Sequence, residues 1–466
     1  MSDRYDMVVV GGGPAGEKAA TQAAYFGKRV AVVERRPNPG GVAVSDAGVP
    51  TKTLRETAQY LTGFRHREVY GISMQLDASL KLERLKARTQ AVTAVMTAAV
   101  RGNLERMKVE LIQGEGRLGK DRAVRVALAG GGERVLSAEV ILIATGSRPL
   151  RPASIPFDDQ AVFDSEGILK LQALPRSLAV IGAGAVGCEY ASIFTSLGVE
   201  VMLLEATDRL LSFIDQELAS LLADAFRAQG MRVELGSGLV TLSQEDRRPT
   251  LRWKDQTLRP QHVLFAGGRA SNVEGLGLEE AGVALDARGR IQVDPRTFQT
   301  TAPGIYAAGD VIGPPALASV SQEQGRVAAC HAFRLPFKDH VDALPPFGVY
   351  SMPEVSMVGL TEEAARAKGM DVLSGRGHFA RNTRARIAGA TEGLVKLVFR
   401  RADRVLVGVH ILGDIAAELI HLGQMAVSHG RPIDDFIHAT FNVPTYSEAY
   451  KYAAYDGLQA LARGTR

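Results

Sequence analysis

Near-continuous apolar runs closed by clusters of glycine mark this chain, and such runs read as buried parallel strands rather than as strands of a half-exposed sheet. Tyr5 to Val10 is the first, ending in Gly11-Gly12-Gly13-Pro14-Ala15-Gly16, after which Glu17 to Phe26 has the pattern of a helix and Arg29 to Val33 that of a second strand. The same order returns at Ser177 to Ile181, Gly182-Ala183-Gly184-Ala185-Val186-Gly187, a helix through Leu197, and the strand Glu200 to Leu204. Between the copies lie a helical stretch, Lys52 to Arg106, and strand-like segments leading to Val140-Ile141-Leu142-Ile143-Ala144. After the second copy come Val263 to Arg269 and Ile305-Tyr306-Ala307-Ala308. From about Pro346 the texture changes to strands such as Leu394 to Phe399 and Val405 to Leu412, then an apolar helix, Ile415 to Val427. That last part reads as a separate α+β domain.

Composition narrows the possibilities. The 466 residues suffice for about three domains at roughly 100–200 residues each. With 46% hydrophobic and 23% charged residues the chain is ordinary globular material. Its net charge is only +4, and the basic residues are dispersed, which speaks against nucleic acid as a partner. No run approaches the ~20 apolar residues of a membrane span, and the N-terminal segment lacks the look of a signal peptide. Two distant cysteines, Cys188 and Cys330, exclude a disulfide framework and a multi-cysteine metal site, and fit a reducing, cytoplasmic setting. No metal is expected.

Each glycine cluster has the G-x-G-x-x-G spacing of a dinucleotide turn, and each is followed 23 residues after its first glycine by a carboxylate, Glu34 or Glu205. Gly11 permits the tight turn, Gly13 lets a pyrophosphate approach the backbone, Gly16 allows close helix–strand packing, and Gly182, Gly184 and Gly187 repeat these roles. Glu34 and Glu205 are placed to accept hydrogen bonds from a ribose. One such motif is weak; two in full strand–turn–helix–strand context imply two nucleotide-bearing cofactors.

The two motifs, joined by Ala144-Thr145-Gly146 and closed by Thr300-x-x-Pro303-Gly304-Ile305-Tyr306-x-Ala308-Gly309-Asp310, closely resemble the pyridine nucleotide–disulfide oxidoreductase family. The resemblance covers essentially the whole chain. It implies an α/β fold with two Rossmann-like domains, the first for FAD and the second for NAD, plus a C-terminal α+β domain that forms a homodimer. The expected boundaries are 1–150 and 271–345 for the FAD domain, 151–270 for the NAD(P) domain and 346–466 for the dimerisation domain. The resemblance adds Gly41, Gly116, Thr145, Gly146, Asp310 and Ala318 to the FAD site and Gly268 to the NAD site. It also gives Lys52, beside the flavin, and Glu189, its counter-charge, as the catalytic pair. An ammonium there stabilises negative charge as it develops on the ring, and a buried lysine needs an anionic partner to stay charged.

Two departures decide which half of the family's chemistry remains. Its active-site helix normally starts Gly-Gly-Thr-Cys-(four residues)-Cys-Ile-Pro-Ser-Lys, but here Ala43 and Gly48 stand at both cysteine positions of Gly40-Gly41-Val42-Ala43 and Gly48-Val49-Pro50-Thr51-Lys52. Neither residue can supply a thiolate. Near the C-terminus the usual His-Pro-Thr-x-x-Glu is Val443-Pro444-Thr445-Tyr446-Ser447-Glu448, so the proton-shuttling base is missing as well. Glu448 is kept and is expected to orient its segment. Within the family the resemblance is greatest to the soluble, Si-specific pyridine nucleotide transhydrogenases, through Gly187 to Phe194, Asp208-Arg209-Leu210-Leu211, Gly309 to Gly313, Leu317-Ala318-Ser319 and Thr440-Phe441-Asn442-x-Pro444-Thr445.

The expectation is therefore an FAD-dependent enzyme that transfers hydride between nicotinamide coenzymes. Glu205 repels a 2′-phosphate, and Ala206 and Thr207 follow where an NADP site would place arginine, so NAD(H) should be preferred over NADP(H). The alternatives are an NADH:acceptor oxidoreductase delivering electrons to a quinone, dye or oxygen, and a non-catalytic flavin-binding redox sensor, which the retained Lys52 and Glu189 oppose. His410, His421 and His438 are expected to be packing histidines, and Arg381, Arg384 and Arg386 a solvated face.

Overall fold

A computed structural model describes residues 3–62, 71, 82–246 and 248–463. The chain divides into two compact units, one made of Met1–Thr53, Ala87–Leu150 and Gly268–Ala343, the other of Leu54–Lys86, Arg151–Gly267 and Leu344–Arg466. Part of the expected helical stretch, 63–70 and 72–81, lies outside the described residues.

In the first unit the strand Asp3–Val10 pairs in parallel on both sides, with Val30–Glu34 and with Glu133–Ile143. Val10 stands opposite both Val33 and Ile143, so all three strands end level, and the glycine turn leaves from that common edge. The strand Ile305–Ala307 adds in parallel beyond Glu133–Ile143 and delivers Gly309 and Asp310 to the same edge. Because both sheet faces are covered, Met7, Val8 and Val9 are all fully buried, which is why the run reads as continuous rather than alternating. The helices Pro14–Tyr25 and Ala318–Ala332 pack on each other, so closely that a β-carbon on Gly325 would overlap the Ala15 carbonyl.

Among the described residues the second unit holds three sheets, the smallest a three-stranded antiparallel one of Thr241–Glu245, Arg248–Trp253 and Gln256–Leu258. Another is parallel, in the order Arg232–Glu234, Glu200–Leu204, Ser177–Ile181, His262–Phe265, Val162–Phe163, with Ile181 opposite Leu204 and Phe265. The segment Val263 to Arg269 runs from one strand, His262–Phe265, through Gly267 and Gly268 to the start of another, Arg269–Ser271, which belongs to the first unit. The third sheet is antiparallel, in the order Phe347–Val349, Glu354–Gly359, Leu406–Gly413, Leu394–Arg400, Val372–His378. The helices Ala416–Ser428 and Glu448–Arg463 lie on it and close a core around Phe379, Phe399 and Tyr450.

Candidate active site

The glycines of the first turn have three different reasons to be glycine. Gly11 has φ +109°, which only glycine adopts without strain, and Gly16 packs directly on the Gly11 carbonyl oxygen. Gly13 has neither need. Its φ is −76°, and the nearest heavy atom to a β-carbon placed there would be the Gly41 Cα at 3.7 Å. The second turn repeats this: Gly182 has φ +101°, Gly187 packs on the Gly182 carbonyl, and Gly184, at φ −71°, has nothing within 4 Å of a β-carbon. Folding alone therefore does not ask for glycine at 13 or 184.

Those two residues are also the N-caps of the helices Pro14–Tyr25 and Ala185–Ser196, and neither helix receives a side-chain cap. Three other helices are capped by a side chain, Asp215, Thr361 and Asn382 each accepting a first-turn backbone N–H. An uncapped first turn offers unsatisfied N–H donors and the positive end of a helix dipole. Each turn thus presents a donor set with a space left open in front of it, which fits the diphosphate of a dinucleotide.

The two carboxylates tie these turns to their sheets. Glu34 accepts from Gly12 N at 2.7 Å and from Arg36 N at 2.8 Å, one on each oxygen. Glu205 accepts from Ala183 N at 2.7 Å on one oxygen, and from both the N and the Oγ1 of Thr207 at 3.0 Å on the other. A carboxylate oxygen has two lone pairs, so Glu34 keeps an acceptor site on both oxygens while Glu205 keeps one on a single oxygen.

The short helix Gly41–Ser45 starts against the first turn. Gly40 N donates to Gly12 O at 2.8 Å, and Gly41, at φ +60°, would press a β-carbon to 2.8 Å from the Gly13 Cα. Ala43 sits in this helix, and Gly48 immediately precedes the helix Val49–Thr62. A β-carbon on Gly48 would collide with the Ala43 carbonyl oxygen, so the backbone is closed where the family's second cysteine would stand. Cys188 and Cys330 offer no substitute. Both are buried, and burial pushes both thiols up, with the Glu189 and Glu205 carboxylates adding to the shift at Cys188.

Lys52 is half-buried in the helix Val49–Thr62, its N–H donating to Gly48 O at 3.2 Å; it belongs to the first unit and Glu189 to the second. Glu189 is buried in the helix Ala185–Ser196, and one of its carboxylate oxygens accepts from Tyr350 N at 2.9 Å. Burial raises the Tyr350 phenol, and the Glu354 and Glu189 carboxylates raise it further. Glu354 in turn pairs with the buried Arg55 guanidinium at 3.0 Å.

Asp310 follows Gly309, whose φ is +81° and whose N–H donates to Gln324 Oε1 at 2.8 Å. One Asp310 carboxylate oxygen accepts from Ser147 Oγ at 2.7 Å, and Arg269 Nε donates to that same Ser147 Oγ at 2.7 Å. Ser147, Arg269 and Gln324 escaped the sequence reading, although Ser147 directly follows Thr145-Gly146 and Arg269 directly follows Gly268. Thr145 and Gly146 are bound to one residue: Thr145 Oγ1 donates to Asn272 O at 2.7 Å and Asn272 N to Gly146 O at 2.9 Å. Gly116 is buried, with Val10 and Val33 methyls 3.2 and 3.3 Å from where its β-carbon would be. Gly268 has φ +122°, and Ala318 opens the helix Ala318–Ala332, again with no side-chain cap.

In the C-terminal part Glu448 accepts from Thr445 N at 3.3 Å, holding the start of its helix. Of the three expected packing histidines only His410 is buried. His421 and His438 are exposed, each on the side of its helix turned away from the core.

The sequence profile described as pyridine nucleotide-disulphide oxidoreductase matches residues 5–325, and that family's dimerisation domain matches residues 345–454. The chain belongs to the pyridine nucleotide–disulphide oxidoreductase family. As a member it is a flavin-dependent pyridine nucleotide oxidoreductase that uses FAD and NAD(P)H and pairs with a second copy of itself. It is 42% identical over 460 residues, 98% of each chain, to a protein of Mycobacterium tuberculosis named soluble pyridine nucleotide transhydrogenase. A protein of the same name from Pectobacterium atrosepticum is 36% identical over 461 residues, again 98% of each chain. Among solved structures, LpdA of Mycobacterium tuberculosis superposes with a TM-score of 0.88 at 29% identity, covering 97% of this chain and 99% of that one. The HOCl-induced flavoprotein disulfide reductase RclA of Escherichia coli gives 0.86 at 29% identity with the same coverage. Among the described residues no helix is long and apolar enough to cross a membrane.

Proposed function

We propose that this flavoenzyme is a transhydrogenase, passing hydride from one nicotinamide coenzyme to another with no sulfur relay. One observation carries the reading: two glycine turns each keep an open cradle at Gly13 and Gly184, while the backbone is closed at Gly48 where a redox cysteine would sit. The name carried by relatives at 36–42% identity supports it.

Bound FAD supplies the two-electron chemistry. The chain's part is to hold and orient. Gly11, Gly13 and Gly16, with the N–H groups of the helix Pro14–Tyr25, take the FAD diphosphate, and Glu34 takes the adenosine ribose. Gly41, Gly116, Thr145, Gly146 and Ala318 line the FAD site, and Asp310, steadied by Ser147, accepts from a ribityl hydroxyl. Gly182, Gly184, Gly187, Glu205 and Gly268 form the nicotinamide dinucleotide site. Lys52 would contribute positive charge beside the ring, and Glu189, oriented by the Tyr350 N–H, is the carboxylate proposed as its counter-charge. The domain limits 150/151, 270/271 and 345/346 and a cytoplasmic, reducing location complete the reading.

A second reading, an NADH:acceptor oxidoreductase, is favoured by Glu205 alone. Its charge and its three donors leave a site shaped for a ribose hydroxyl rather than a 2′-phosphate. The two readings separate in one assay: NADH is supplied with a thionicotinamide dinucleotide or with a quinone. Turnover of the thionicotinamide supports transhydrogenation, and turnover of the quinone alone supports the second reading.

A further inference from the structure

Outside the active site, among the described residues, the largest group of buried charge is centred on Lys396, which is 2% exposed in the strand Leu394–Arg400. Its neighbours Val395 and Leu397 point into the apolar core, so the strand's period of two turns Lys396 to the other face. There its ammonium lies 2.9 Å from Asp215, 3.0 Å from Glu217 and 2.9 Å from Glu362. Arg376, directly opposite Lys396 across the ladder, pairs with Glu217 at 2.7 Å, and His410, opposite on the other side, is fully buried. The three basic residues thus form one row across the antiparallel sheet, facing the acidic start of the helix Gln216–Ala228.

Asp215 is fully buried and also serves as the N-cap of that helix, its Oδ1 accepting Glu217 N at 3.1 Å. It ends the segment that begins at Glu205. Between them Leu210, Leu211 and Ile214 are buried, and Leu211 N donates to Ala183 O at 3.0 Å. Ala183 N meanwhile donates to Glu205. The middle of the second glycine turn is therefore gripped on both sides by the segment that Asp215 anchors.

We propose that Lys396 is a positioning residue for the nicotinamide dinucleotide: by fixing Asp215 it fixes segment 206–214, and through Leu211 and Ala183 the glycine turn at Gly184. The inference rests on reading that turn as the dinucleotide site. A buried ion pair adds little net stability over an apolar replacement, so what Lys396 contributes here is a unique placement of the segment.

The test is calorimetric titration of the FAD-loaded protein with NAD⁺ for wild type, Lys396→Met, Asp215→Asn and Gly184→Ala. Asparagine caps a helix as well as aspartate does, so Asp215→Asn removes charge while keeping the cap, and it decides the matter should Lys396→Met not fold. Lys396→Met and Asp215→Asn are expected to raise the NAD⁺ Kd roughly three- to tenfold, with FAD content and visible spectrum unchanged. Gly184→Ala is expected to abolish binding. A folded, FAD-loaded Lys396→Met or Asp215→Asn protein with wild-type Kd, beside a Gly184→Ala protein that has lost NAD⁺, overturns the inference alone. Wild-type binding by Gly184→Ala overturns the site reading and the inference with it.

Discussion

The Ala43 carbonyl oxygen occupies the space that a β-carbon on Gly48 would need. The missing redox disulfide is thus built into the backbone as well as the side chains. Gly48→Cys is expected to destabilise the protein by about 1–3 kcal/mol, the usual range for overpacking, and an Ala43→Cys/Gly48→Cys protein should not gain lipoamide reductase activity. Urea midpoints and a thiol-coupled assay check both halves.

Gly13 and Gly16 should respond to alanine in opposite ways. Gly13→Ala leaves urea stability near wild type and yields protein depleted in FAD, because its methyl enters only the cradle. Gly16→Ala drives a methyl into the Gly11 carbonyl and should cost folding stability first. Flavin stoichiometry and urea titration on each purified variant distinguish the two.

On the proposed reading of the second glycine turn, coenzyme choice turns on Glu205. Glu205→Gln keeps an acceptor for Ala183 N and removes the charge facing a 2′-phosphate. The ratio of kcat/KM for NADPH to that for NADH should rise about tenfold, equal to ~1.4 kcal/mol.

Acid should weaken this fold before it reaches the ordinary carboxylate range. Burial lowers the His410 pKa, and Lys396 lowers it further, while Asp215, the Leu360 carbonyl and Glu363 oppose the shift. A histidine in the unfolded chain titrates near ~6.5, so below that pH the unfolded state takes up a proton that the folded state refuses. The contribution of His410 to stability is complete above about pH 7 and is lost as pH drops through 6.5, by at most ~1.4 kcal/mol per unit. Glu217 and Glu362, half-buried but held low by Lys396, with Arg376 adding at Glu217, act in the same direction at lower pH. Urea midpoints at pH 7.5 and 5.5 should differ in wild type and differ less in His410→Gln.

Much of this was legible in the sequence, for physical reasons. Strands buried on both faces announce themselves as continuous apolar runs, and glycine turns keep their spacing because φ and close packing demand it at Gly11, Gly16, Gly182 and Gly187. What stayed hidden depends on contacts distant in sequence. Nothing near Ser147 says that it will donate to Asp310, 163 residues away, and Lys396 in its strand looks like an exposed charge until Asp215, 181 residues away, is brought to it. That the strands on either side of Gly267 and Gly268 join different sheets shows only in their ladder partners.

The central claim, hydride exchange between nicotinamide coenzymes at a flavin with no thiol behind it, is tested most directly by anaerobic stopped-flow on the purified yellow protein. NADH should bleach the visible band, and oxidised thionicotinamide dinucleotide should then restore it at a rate matching turnover, unchanged after alkylation of accessible thiols. Restoration by quinone or oxygen alone, or bleaching by dihydrolipoamide, would contradict the account.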